Sequence, residues 1–157
     1  MEEIKNLINK AENKLANVDH LLSVTFPIIN DGKILAPIAE SLAQCSFITM
    51  EALLKYERIY KRIHSLPDNL DIMFNIFKSE VALRYKISKN IMIMLNDLKN
   101  FLQSRKKSAA EFVKDSKYVI CSNEYYTTII TPEKLKTYKD LISQFITKVK
   151  EITSKGG

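Results

Sequence analysis

Glycine is nearly absent from this chain. Of its 157 residues three are glycine, two of them Gly156 and Gly157, which leaves Gly32 alone in the interior. Only four prolines, two cysteines and two histidines are present, and there is no tryptophan. These scarcities exclude a good deal. With a single interior glycine there is no glycine-rich loop to cradle phosphates, and too little turn chemistry for an all-β fold. Cys45 and Cys121 lie far apart without CxxC spacing, and with His20 and His64 they offer no local set of metal ligands. No cofactor is implied, and no nucleophile elbow is present. No apolar run approaches the roughly 18 residues of a membrane span. The opening "MEEIKNLINK" is acidic and then amphipathic, unlike a secretory signal. Cys45 sits in an apolar helical stretch, where a buried thiol is expected. A reduced, cytoplasmic protein without membrane attachment follows as the simplest expectation.

What is present is helical periodicity over a single expected domain, residues 1–157. A chain of this length buries roughly 70% of its unfolded surface, enough to fold without metal or disulfide. Ile4, Leu7, Ile8, Ala11, Leu15, Val18 and Leu22 recur at steps of three and four, predicting a helix over about 3–26 that stops before Pro27. Leu35, Ile38, Leu42, Cys45, Thr49, Ala52, Tyr56, Ile59 and Ile63 predict a second helix over about 33–64, with Pro37 near its first turn. A third is expected over about 69–85. A fourth follows Ser88 as N-cap and fades into "SRKKS". Thr131 as N-cap, Pro132 at the first helical position and Glu133 in the first turn open the last, whose stripe runs from Leu135 to Ile152. Between them, "KYVICS" and "YYTTII" are rich in β-branched and aromatic residues, with "SNE" as a candidate turn. The expected fold is all-α: an up-and-down antiparallel bundle of about five helices, with a short irregular or hairpin excursion before the last helix. Leu141 and Ile146 flank the last stripe and leave room for a second apolar surface in a homodimer.

The formal charge is +6, a balance that suits RNA or an acidic protein as partner without requiring either. The cations fall in two groups. Lys55, Arg58, Lys61 and Arg62 gather near the end of the second helix. Lys99, Arg105, Lys106, Lys107, Lys114 and Lys117 form the other, followed by Tyr118, Tyr125 and Tyr126. Lysines and tyrosines on an extended segment can hold phosphates and stack bases. Equally, the tyrosines can anchor the segment to the bundle while the lysines keep it soluble. His20, beside Asp19, reads as an ordinary hydrogen-bonded or exposed histidine.

Within "KYERIYKRIHSLPDN", Arg58 precedes His64 by six positions. That spacing, with two long amphipathic helices and then shorter ones, resembles the HEPN domains, small all-α dimeric units, over roughly residues 1–105. The resemblance implies a metal-independent endoribonuclease in which Arg58 stabilises phosphate charge and His64 moves protons. The residues themselves speak for a plainer role. In one continuous helix the two side chains would point about 120° apart, and Ile59 is apolar where active members often carry a polar residue. Pro67 would stop the helix by about residue 66, leaving Lys61, Arg62 and His64 in its last turns, where cations complement the dipole. The expectation is therefore a non-catalytic interaction module, HEPN-like in organisation and RNA-associated. A ribonuclease using Arg58 and His64, and an adaptor for an acidic protein, are the alternatives.

Overall fold

A computed structural model describes residues 1–106, 108–122 and 127–155. Helix α1 spans Glu2–His20, passes through a π turn at Leu21–Thr25 and ends in the short α2, Phe26–Ile29. The helix thus runs past Pro27 rather than stopping before it. The π turn bonds the Phe26 N–H to the Leu21 carbonyl, five residues back. In that wider register the proline ring escapes the clash with the carbonyl four residues back that an α turn imposes. Asn30 then reverses the chain in the left-handed region, at φ 51°.

Helix α3, Leu35–Ile59, is the centre of the molecule. Helices α1, α5 (Lys89–Lys106) and α6 (Pro132–Lys155) all pack against it. Leu35, Leu42, Met50, Leu53 and Leu54 on α3 are fully buried. Buried hydroxyls are satisfied locally, Thr49 donating to the Cys45 carbonyl at 2.9 Å, and the Cys45 thiol donates to the Ala11 carbonyl of α1 at 3.1 Å. Between α3 and α5, α4 (Leu70–Ile76) continues through a second π turn, Phe77–Val81. Asn69, Ser88 and Thr131 each accept a hydrogen bond from an N–H of the turn they cap. On α6, Ile146 is buried in the fold's own core and Leu141 packs against it, so both flanking residues serve this domain.

The all-α expectation is overturned by a three-stranded antiparallel sheet, in the order β1-β2-β3: Ser108–Lys114, Lys117–Ser122 and Thr127–Ile130. "KYVICS" and "TTII" are strands as their residues suggest, but "AAEFVK" before them is a strand too. The β1–β2 turn is Asp115–Ser116, with both residues at positive φ (52° and 62°), the two-residue geometry that matches strand twist. Tyr118, Ile120 and Ile130 face the helices and are buried. On the other face Phe112 and Ile129 stay about half exposed on either side of Val119, their common cross-strand partner. The sheet docks where Gly32 sits: a Cβ there would come within 2.7 Å of a Val113 methyl. Among the described residues no helix is long and apolar enough to cross a membrane.

Candidate anion-binding site

Helix α3 ends earlier than Pro67 requires. Its last residue is Ile59, and Lys61 enters the left-handed region at φ 58°. The Lys61 N–H bonds the Arg58 carbonyl at 3.0 Å and the Arg62 N–H the Glu57 carbonyl at 2.9 Å. This pair of bonds is a Schellman cap, with lysine where glycine is usual. Lys61, Arg62 and His64 therefore lie beyond the helix and not in its last turns. Arg58 is on the final turn of α3 and His64 on the bend after the cap, both exposed. The angular offset expected for one continuous helix does not apply to them.

The cap aims Arg62 back at Glu57, one turn earlier and completely buried. A buried carboxylate survives only if it is paired and hydrogen-bonded. Glu57 receives Arg84 Nη1 on Oε2 and the Tyr85 hydroxyl on Oε1. Arg62 Nη1 stands 3.5 Å from the same Oε1 and donates to the Tyr85 hydroxyl at 2.9 Å. The Arg62 guanidinium also lies over the Tyr60 ring, 5.1 Å from its centroid, and 6.0 Å from that of Tyr56. Arg84 and Tyr85 reach this place because a second Schellman cap follows the second π turn. Lys86 takes φ 53°, and the Ile87 N–H bonds the Ala82 carbonyl at 2.9 Å. Burial, then the bond to Glu57 and its charge, push the Tyr85 phenol up to about 12, so it remains a donor at neutral pH.

Over this network opens a cavity of about 360 Å³, within the usual range for small-ligand sites. Arg62, Arg84, Lys86, Lys148 and Lys155 line it, with Tyr56 and Tyr85; Glu151 is the one carboxylate of the lining. Five cations thus face two carboxylates, Glu57 beneath and Glu151 beside them. Three stretches far apart in sequence supply these groups: the α3 cap, the segment after the second π turn, and the last turns of α6.

Three of the other cations named from sequence are committed to carboxylates. Lys55 pairs with Glu3 and Glu51. Lys99 pairs with Asp71 at 3.2 Å and covers the Phe74 ring. Arg105 bridges Glu40 at 2.8 Å and Glu111 at 3.4 Å. Tyr118 is buried and donates to Glu111, so its ring presents no stacking surface. Lys106 ends α5, and Lys114 and Lys117 oppose each other across the β1–β2 turn, all three exposed. Lys107, Tyr125 and Tyr126 lie outside the described residues.

Of the sequence candidates, only Arg62 lines the cavity. Glu57, Arg84, Tyr85, Lys86, Lys148 and Lys155 were missed. One local signal existed. Glu57 continues the buried α3 steps Ser46, Met50, Leu53, and an acid on an apolar stripe demands a partner. The chain matches no protein-family model, no curated protein and no solved structure.

Proposed function

We propose that this protein is a small, basic, cytosolic interaction module, HEPN-like in organisation, that associates with RNA without cutting it. The observation that supports this reading is the convergence of Arg62, Arg84, Lys86, Lys148 and Lys155 on one cavity. Arginine forks and lysines are the standard partners of phosphate oxygens, and five of them exceed what Glu57 and Glu151 need for neutrality. A reduced compartment agrees with two free cysteines, one buried, its thiol pushed up to about 12 by burial.

The test is binding of a mixed-sequence single-stranded RNA in chelator at several salt concentrations. Affinity should fall steeply with salt, each phosphate contact adding about −0.7 to the log–log slope. Lys86→Glu with Lys148→Glu should weaken binding whatever the RNA sequence, and the RNA should remain intact. Absence of binding at low salt, with capture of an acidic polypeptide instead, would replace this reading by the adaptor. Cutting that both Arg58→Ala and His64→Ala abolish would replace it by the ribonuclease.

A further inference from the structure

We propose that the Arg62–Arg84 cavity is a site for a phosphate monoester on a nucleotide, either the end of an RNA strand or a free mononucleotide. For the strand, the proposal rests on the RNA reading above; for the free nucleotide it stands alone.

The first argument is the distribution of charge. Binding an internal diester backbone calls for cations spaced along a groove. Here four of the cations outside the cavity are neutralised by neighbours. Lys99 is held by Asp71, Arg105 by Glu40 and Glu111, Lys139 by Asp19 at 2.7 Å, and Lys150 by Glu12 at 3.2 Å. Five cations share one cavity, while the exposed Lys61, Lys106, Lys114 and Lys117 line none of it. One compact, doubly charged group fits that pattern better than a chain of single charges.

The second argument is donor supply. Glu57 and the Tyr85 hydroxyl engage Arg62 and Arg84 through Nη1 alone. A guanidinium carries five N–H donors in a planar fork, so both forks retain donors not spent on Glu57. A diester offers two non-bridging oxygens and one charge. A monoester offers three oxygens and close to two charges at neutral pH, which two forks and three lysines can satisfy together.

The third argument concerns rigidity. A single guanidinium is enough to neutralise one buried carboxylate, so a purely structural Glu57 leaves one of Arg84 and Arg62 redundant. Instead both are held to it, and Arg62 is also pinned over Tyr60. Side chains fixed before binding lose less entropy when the ligand arrives. Glu151 adds one acceptor to the lining, the kind of group that takes a hydrogen bond from a sugar hydroxyl.

The experiment compares one RNA sequence carrying a 5′-phosphate, a 3′-phosphate or hydroxyls at both ends, alongside adenosine monophosphate and adenosine, by fluorescence competition. An end phosphate should tighten binding about tenfold, the worth of one or two charge-assisted hydrogen bonds, and adenosine monophosphate should compete where adenosine does not. Lys148→Gln with Lys155→Gln, on exposed α6 positions outside the Glu57 network, should erase most of the preference at unchanged thermal stability. RNA bound equally well with either kind of end would overturn the inference and leave the RNA reading standing. A phosphate preference undiminished in the double variant would overturn it too, since the site would then lie elsewhere. Adenosine monophosphate bound without any RNA would overturn the RNA reading and support the free nucleotide. Neither ligand bound would sink both.

Discussion

Replacing Glu57 by Gln tests whether the buried carboxylate holds the site together. The side chain keeps its volume, so no cavity term enters. The amide has one acceptor oxygen and one donor group, whereas Glu57 accepts on both oxygens from Arg84, Tyr85 and Arg62. Turned towards Arg84 its NH₂ meets a donor; turned the other way it can donate to the Tyr85 oxygen only if that hydroxyl gives up its own bond to the side chain. One charge-assisted bond is lost outright, worth about 1.5–3 kcal/mol, and the bond that survives becomes a weaker neutral-acceptor one. Two effects offset this. No charge need be desolvated, and Arg62 and Arg84, with 38% and 39% of their side chains exposed, can turn to water. The net cost is about 2–3 kcal/mol, or a fall of roughly 5–10 °C in the melting temperature of a domain this size. Arg84→Gln should cost at least as much, about 2–4 kcal/mol, because the buried charge persists with only Arg62, at 3.5 Å, to offset it. The double variant should then be more stable than Arg84→Gln alone. Circular-dichroism melts and a urea double-mutant cycle measure all three. Glu57→Gln within a degree or two of the parent, or a double variant less stable than Arg84→Gln, would refute the reasoning.

Lys61 and Lys86 adopt left-handed geometry that costs an ordinary residue about 1–2 kcal/mol, so Lys61→Gly and Lys86→Gly should each stabilise by about 0.5–1 kcal/mol after glycine's larger unfolded-state entropy; urea midpoints that fall would contradict this. Phe145 is fully buried, edge-on to Phe77 at 5.8 Å, and Phe145→Ala should cost about 3–5 kcal/mol in a thermal melt; an unchanged melt would mean this face is not core. Burial raises the phenols of Tyr85, to about 12, and also of Tyr118 and Tyr138, with hydrogen bonds to Glu57, Glu111 and Asp97 adding to it. A raised phenol binds its proton more tightly in the folded state, so this stability is complete below pH of about 10 and is lost as pH climbs towards 12. Urea titrations at pH 9 and 11 should show that loss, shallower in Tyr85→Phe; parallel losses in both proteins would exclude Tyr85 as a contributor.

The helices were legible because burial on one side imposes a period that survives in the residues. Ile4 to Leu22 and Leu135 to Val149 are buried or packed on the core almost throughout, and the caps Ser88 and Thr131 act locally. The failures share a physical cause. Helix α3 ends and the β1–β2 turn forms with Lys61, Asp115 and Ser116 at positive φ, where sequence rules look for glycine or asparagine. "SAAEFVK" has no strand periodicity of its own and is extended because it pairs with β2, a tertiary effect. The candidate site draws on residues 57–62, 84–86 and 148–155, and no local pattern links those three stretches. The Arg58–His64 spacing was easy to see because both residues lie within one stretch.

The central position of α3 has a consequence for synthesis on the ribosome. Its partner α1 precedes it, so one side of α3 can be covered as soon as Ile59 has emerged. The side that receives α6 must wait until Lys155, about 95 residues later, an interval of roughly 5–20 s at ordinary elongation rates. Throughout it, leucines and alanines that end up fully buried face water, shielded only by α5 and the sheet once they form. The nascent chain therefore has to stay unaggregated through that interval with half its central helix bare. Its excess of positive charge supplies mutual repulsion between such chains during that time.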